Sequence, residues 1–180
     1  MTTTILLHEA TPLGRTDASS LDLYALRSFV EHEADLLDQR CFSQWARLFA
    51  DDGIYWVPTE RGQTDYLSRV SLFYDDKTIL DTRVARLNHE MIHCQDPAST
   101  CVRVVSNFRI EERETDLAQG LHAVTSKFIM LEDRYGAPQR LFGGRYLHVL
   151  RATADGLRIV LKRVDLTNCD HSFPALTQPF

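Results

Sequence analysis

Cys101 to Thr167 reads CVRVVSNFRIEERETDLAQGLHAVTSKFIMLEDRYGAPQRLFGGRYLHVLRATADGLRIVLKRVDLT. Four long runs in it read as strands, and tight turns separate them. Val102 to Glu112 comes first, with Val104, Phe108 and Ile110 as alternating apolar positions. Leu121 to Glu132 follows Gly120, and Arg134-Tyr135-Gly136-Ala137-Pro138 makes the next turn. Arg140 to Arg151 contains Gly143-Gly144, which reads as a bulge or strong bend. Asp155-Gly156 is a hairpin signal, and Leu157 to Leu166 closes the meander.

Working outward, helical periodicity replaces the period of two. Leu26, Phe29, Val30, Ala34 and Leu37 fall on one helix face, with Glu31, Asp35 and Asp38 opposite. Ser19 or Ser20 is the expected cap, with Asp22 in the first turn. A second short helix carries Phe42, Trp45 and Phe49, and Asp51-Asp52-Gly53 is expected to stop it. Ile54 to Val57 is a short strand ended by Pro58, and Val70 to Tyr74 is extended. Thr78 to Met91 forms a third helix through Leu80, Val84, Leu87 and Met91. Helices followed by an antiparallel meander define an α+β domain, a strongly curved, mainly antiparallel sheet wrapped on N-terminal helices. Residues 1–18 read as an arm and 19–180 as a single domain. The apolar end of the chain, His171 to Phe180, is expected to dock on this chain or a neighbour.

Composition narrows the function. The net charge is −5 with a pI near 5.8, so neither nucleic acid nor an anionic membrane is the expected partner. No apolar run approaches a membrane span. Met1 to Ala10 has no positive stretch before Ile5-Leu6-Leu7, so it does not read as a secretory signal. Cys41, Cys94, Cys101 and Cys169 form no CxxC pair, which points to free thiols in a reducing cytoplasm.

Four constellations could carry chemistry. His89-Glu90-Met91-Ile92-His93 fits H-E-x-x-H, which sets two imidazoles on one helix face for zinc with Glu as base. It falls at a helix end before Pro97, without a third ligand at the usual spacing, so two solvated histidines are the competing reading. Cys169-Asp170-His171 is half of a Rieske ligand pattern, and the second half is missing. His32, Asp35 and Asp38, with Tyr24 as donor, could abstract a proton inside a cone; the alternative is a solvated polar helix face. Arg145, Arg151, Lys162, Arg163 and Asp165 read either as cross-strand pairs on an exposed face or as a subunit contact.

The chain resembles the small, or β, subunit of aromatic-ring-hydroxylating dioxygenases, the Rieske non-haem iron enzymes, from about Leu26 to Leu166. Glu33-Ala34-Asp35-Leu36-Leu37-Asp38, Trp45, Leu48-Phe49 and Asp52-Gly53-Ile54-Tyr55-Trp56-Val57-Pro58 are similar to its opening block. Tyr74-Asp75-Asp76, Leu80, Arg83-Val84 and Arg86-Leu87 are similar to its middle helix. Asp96-Pro97-Ala98-Ser99 and Val105-Ser106-Asn107-Phe108 are similar to its entry into the meander. Phe142-Gly143-Gly144-Arg145-Tyr146 and Arg158-Ile159-Val160-Leu161-Lys162 are similar to its last strands.

The resemblance implies a cone-shaped nuclear-transport-factor-like (NTF2-like, SnoaL-like) fold, shared with ketosteroid isomerases and related dehydratases. It implies three β chains assembled with three larger α chains, the β chains also contacting one another as a trimer. The α chain would carry the Rieske [2Fe–2S] cluster, the mononuclear Fe(II) and the substrate pocket. Electrons would reach it from a reductase or ferredoxin. This chain would be structural, with no catalytic, cofactor or metal residue of its own. The competing reading is a stand-alone isomerase or dehydratase on the same cone, working through a pocket Asp or His.

Overall fold

The computed structural model describes residues 22–67, 69–89 and 95–180. The arm at 1–18, the caps at Ser19 and Ser20, and Glu90 to Cys94 lie outside them. Helix α1 spans Leu23–Asp38, α2 Phe42–Arg47 and α3 Lys77–Leu87. Six strands follow the chain: β1 Phe49–Pro58, β2 Ser71–Asp75, β3 Thr100–Ile110, β4 Leu121–Asp133, β5 Arg140–Thr153 and β6 Gly156–Leu166. They form one sheet in the order β2-β1-β6-β5-β4-β3. Every pairing is antiparallel except β1 with β6, which is parallel and brings the N-terminal half of the chain onto the last strand.

The two longer helices, α1 and α3, each start at a carboxylate. Asp22 accepts from the Ala25 N–H at 2.9 Å, and Asp76 accepts from Ile79 at 2.8 Å. Asp22 is therefore the cap of α1 rather than a first-turn residue, because its short side chain folds back on the free N–H groups. Leu26, Val30, Glu33 and Leu37 repeat at heptad spacing on the buried side of α1, which packs against β3. Leu80, Val84 and Leu87 are the buried residues of α3, as their spacing predicts, and the helix ends at Asn88.

Several boundaries differ from the sequence reading. Phe49 belongs to β1, and Asp51-Asp52-Gly53 lies inside that strand instead of ending a helix. The three residues occupy an irregularity in the pairing of β1 with β6 between Phe49 and Ile54. Gly53 is needed there because a Cβ would lie 2.7 Å from the Ile159 carbonyl. Gly143-Gly144 makes no bulge, since β4 and β5 stay in register through both. The physical demand is close approach: a Cβ on Gly144 would lie 2.1 Å from the Asp165 carbonyl of β6. The apolar positions Val104 and Ile110 of β3 face outward, while Cys101 and Arg103 face in.

The core fills the concave side of the sheet. Trp45, Tyr55, Leu80, Met130, Leu150, Ile159 and Val164 are all fully buried. The last residues return across the same concavity. Phe180 is 1% exposed; its ring stands edge-on to Phe142 at 5.1 Å and its N–H donates to the Tyr55 hydroxyl at 2.9 Å. The expected docking of the tail is thus onto this chain.

Candidate functional site

The cone interior holds a charge that the sequence reading left out. Glu33 projects from the buried face of α1, 1% exposed, at a position the heptad would give to a leucine. Its Oε1 receives the Lys162 ammonium from β6 at 2.8 Å and the Trp45 indole N–H from α2 at 2.8 Å. Its Oε2 lies 2.8 Å from Nε2 of His148 on β5. Four elements therefore meet at one carboxylate.

Three rings enclose the ammonium. Lys162 Nζ lies 4.9 Å from the centre of Tyr146 and 5.9 Å from the centres of Trp45 and Tyr55. Ring faces are negative, so this cage favours a cation while shielding it from water. Such a box is suited to an ammonium ligand, and here the chain's own lysine fills it. Phe128 stacks on Tyr146 at 4.0 Å and closes the side.

The electrostatics follow from burial against pairing. Burial alone would raise the Glu33 carboxyl, but Lys162 and His148 outweigh it and hold the group well below the ordinary carboxylate range. Burial lowers His148, with Glu33 opposing, so the imidazole is neutral. A neutral ring donates Nε2–H to Glu33 and leaves Nδ1 without a partner among the described residues. Burial also lowers Lys162, against the pull of Glu33. Burial lifts both the Tyr55 and the Tyr146 hydroxyls well above the usual phenol range. The result is one anion balanced by one ammonium, with neutral donors around them.

A second network ties the chain end to the sheet. Arg103 of β3 pairs with Asp38 of α1 and donates to the Pro179 carbonyl. Its backbone N–H also donates to Asp38 Oδ2 at 2.8 Å. Arg83 of α3 grips the buried Asp75 of β2 through two nitrogens and stacks over Phe73 at 4.3 Å. An open groove of about 320 Å³ lies nearby, between α3 and Leu176-Thr177, outside the cone.

The residues singled out from sequence do not converge. Tyr24 is 73% exposed, and His32 and Asp35 also face solvent. Asp38 is half-buried, but its partner is Arg103. Of H-E-x-x-H only His89 is described, while Glu90 and His93 lie outside the described residues. Among the described residues no group of three or more His, Cys, Asp and Glu is placed to hold a metal ion. Cys41, Cys101 and Cys169 are free thiols, and Cys94 is outside the described residues. Lys162 corrects the exposed-face reading, because it points inward with Tyr146 and His148 on the neighbouring strand. The missed signal was phase: Glu33 keeps the helical period of the core, and Lys162 keeps the two-residue period of Val164 and Leu166.

A curved six-strand sheet closed over helices, with a sealed ion pair at its centre, defines a cone-type α+β protein whose interior is packed rather than hollow. Comparison with known proteins makes this specific. Residues 32–171 match the family model described as the ring hydroxylating beta subunit, and the chain belongs to that family. It is 32% identical over 161 residues to the small oxygenase component of the p-cumate 2,3-dioxygenase system of Pseudomonas putida, covering 86% of this chain and 87% of that one. It is 26% identical to the small subunit of 2-halobenzoate 1,2-dioxygenase from Burkholderia cepacia, covering 84% of this chain and 90% of that one. The crystal structure of the beta subunit of benzoate 1,2-dioxygenase from Burkholderia mallei shares the fold, with a TM-score of 0.69 at 24% identity over 83% of this chain and 93% of that chain. Among the described residues no helix is long and apolar enough to cross a membrane.

Proposed function

We propose that this chain is the non-catalytic small subunit of the oxygenase component of an aromatic-ring dioxygenase, and that it holds larger catalytic chains together. The observation that carries the reading is the filled cone. Where a pocket enzyme on this scaffold would need space, Glu33, Lys162, His148, Trp45, Tyr55 and Phe180 are all buried against one another. A substrate would have to displace an ion pair and a docked chain end before reaching any of them.

In this reading the larger partner carries the Rieske [2Fe–2S] cluster, the mononuclear iron and the aromatic substrate. Two electrons arrive at that partner through a reductase or ferredoxin, and dioxygen with two protons becomes two ring hydroxyls. Three copies of each chain form the assembly, in the cytoplasm. Two of the relatives are named for aromatic acids, p-cumate and 2-halobenzoate, so benzoate-type acids are the first substrates to try.

The test is reconstitution. The larger iron-bearing chain that co-purifies with this one is assayed for oxygen uptake with benzoate, with and without this chain. Loss of assembly and of turnover on omission supports the proposal. Unchanged assembly and turnover without it overturns the proposal.

A further inference from the structure

The last residues are held in the fold in a different way from the rest. Residues 172–180 belong to no helix or strand, and among the described residues they make no backbone-to-backbone hydrogen bond. Side chains hold them instead. Arg140 donates to the Ala175 carbonyl at 3.0 Å, Gln95 to the Thr177 hydroxyl at 2.7 Å and Arg103 to the Pro179 carbonyl. Gln178 donates in turn to Gln95 Oε1 at 2.5 Å. A segment held this way opens separately from the sheet, because no ladder of backbone bonds has to break first.

The slot under Phe180 has an aromatic end and a polar end. The Phe180 ring lies 5.1 Å from Phe142 and 6.1 Å from Phe73. At the polar end a single peptide group meets two side chains. Its carbonyl, from Pro179, accepts from Arg103, and its N–H, from Phe180, donates to the Tyr55 hydroxyl at 2.9 Å. Arg103 Nε and the Tyr146 hydroxyl are buried without a hydrogen-bond partner among the described residues. An apolar slot with a few convergent polar groups is the ordinary make-up of a small-molecule site. Its charge is already balanced, because Asp38 pairs with Arg103. A carboxylate brought in beside them would be a buried anion without a counter-ion, so the slot suits a neutral ligand.

We infer that this slot is a binding site for a small neutral aromatic amide, and that Phe180 is its resident occupant. The ligand takes over the ring contacts with Phe142 and Phe73, accepts from Arg103 and donates to Tyr55. It leaves the Glu33–Lys162 pair in place, so the inference goes beyond the small-subunit reading without depending on it. A tethered occupant competes at an effective concentration of about millimolar. The wild-type chain therefore binds such a ligand weakly, and binding releases the end of the chain.

The probe is N-(2-phenylethyl)acetamide, which repeats the carbonyl, the N–H and the ring at the spacing of Pro179-Phe180. Calorimetry compares full-length wild type with Phe180→Ala. The variant is expected to bind the probe at least about tenfold more tightly than wild type, because the tethered competitor is gone. It should bind 3-phenylpropionate, an anion of similar length, at least about tenfold more weakly than the probe. In wild type, amide hydrogen exchange of residues 172–180 is expected to quicken as the probe is added, and this readout stands even where Phe180→Ala does not fold. A folded variant that does not bind, equal binding by variant and wild type, or equal binding of the anion overturns the inference. Unchanged exchange in wild type also overturns it, since binding by the variant alone would report an engineered cavity only.

Discussion

The Lys162 Nζ lies 2.8 Å from Glu33 Oε1, and neither side chain is more than 2% exposed. The two residues are 129 positions apart, on the first helix and the last strand. Forming this pair thus requires the whole cone to close around it.

Removing one partner is expected to cost far more than removing both. Glu33→Gln leaves a buried ammonium without its counter-ion, a loss of about 3–5 kcal/mol in unfolding free energy. The double replacement Glu33→Leu with Lys162→Met removes the unpaired charge and recovers most of that loss. Urea titrations of the three proteins measure it. A single-variant cost below about 1 kcal/mol, the range of an exposed pair, would contradict a sealed interior.

The same cluster sets the acid limb of stability. Glu33 and His148 both have folded pKa values below their ordinary 4.5 and 6.5. The unfolded chain therefore takes up protons first as pH falls. The contributions of these two groups are complete above 6.5; stability declines through His148 below that value and further through Glu33 below 4.5. His148→Gln keeps an N–H donor for Glu33 and makes the first of these slopes shallower, leaving the share of His122, whose imidazole burial also lowers. Urea midpoints measured from pH 7 down to pH 5 check this, and an unchanged slope in the variant refutes the assignment.

Gly143 and Gly144 are adjacent, yet they are expected to respond differently to alanine. At Gly143 the nearest atom to a new Cβ is the Phe128 carbonyl at 3.4 Å, ordinary contact. At Gly144 it is the Asp165 carbonyl at 2.1 Å, so β5 and β6 must separate. Gly144→Ala should lose about 1–3 kcal/mol or more, as overpacking does, and Gly143→Ala much less. Thermal melts of the pair decide it. Equal effects would mean that the strands do not approach as described.

Two arginine–aspartate pairs make a similar contrast. Arg151 meets Asp52 through two bonds at 2.8 and 2.9 Å, but the side chains are 36% and 59% exposed. The Arg103 side chain, joined to Asp38, is 1% exposed. Asp52→Ala should cost no more than about 1 kcal/mol, whereas Asp38→Ala strands a buried guanidinium and should cost about 3–5. Denaturant unfolding in low and high salt tests both, since only the exposed pair should weaken with salt.

The differences between sequence reading and structure have a common physical origin. Local periodicity records which face of an element is apolar, and this located α1, α3 and the four long strands. It is silent about a charge standing in an apolar phase, because the compensating charge lies on another element. Glu33 was passed over in this way, and Lys162 was assigned to the wrong face. The conspicuous polar residues Tyr24, His32 and Asp35 proved to be a solvated helix face. The double glycine was read as a bulge because a bulge is the local cause of such a pair, while its real cause is a neighbouring strand.

By itself the sequence determined the element order, the meander and the family, since each rests on spacing within a few residues or on blocks in a fixed order. Only the tertiary structure decided the parallel junction of β1 with β6, the docking of Phe180 against Phe142 and Tyr55, and the filling of the cone by Glu33, Lys162 and His148. These contacts join residues far apart in the chain. Their stability comes from excluding water around a charge, a condition no single segment can meet before the sheet curls over the helices.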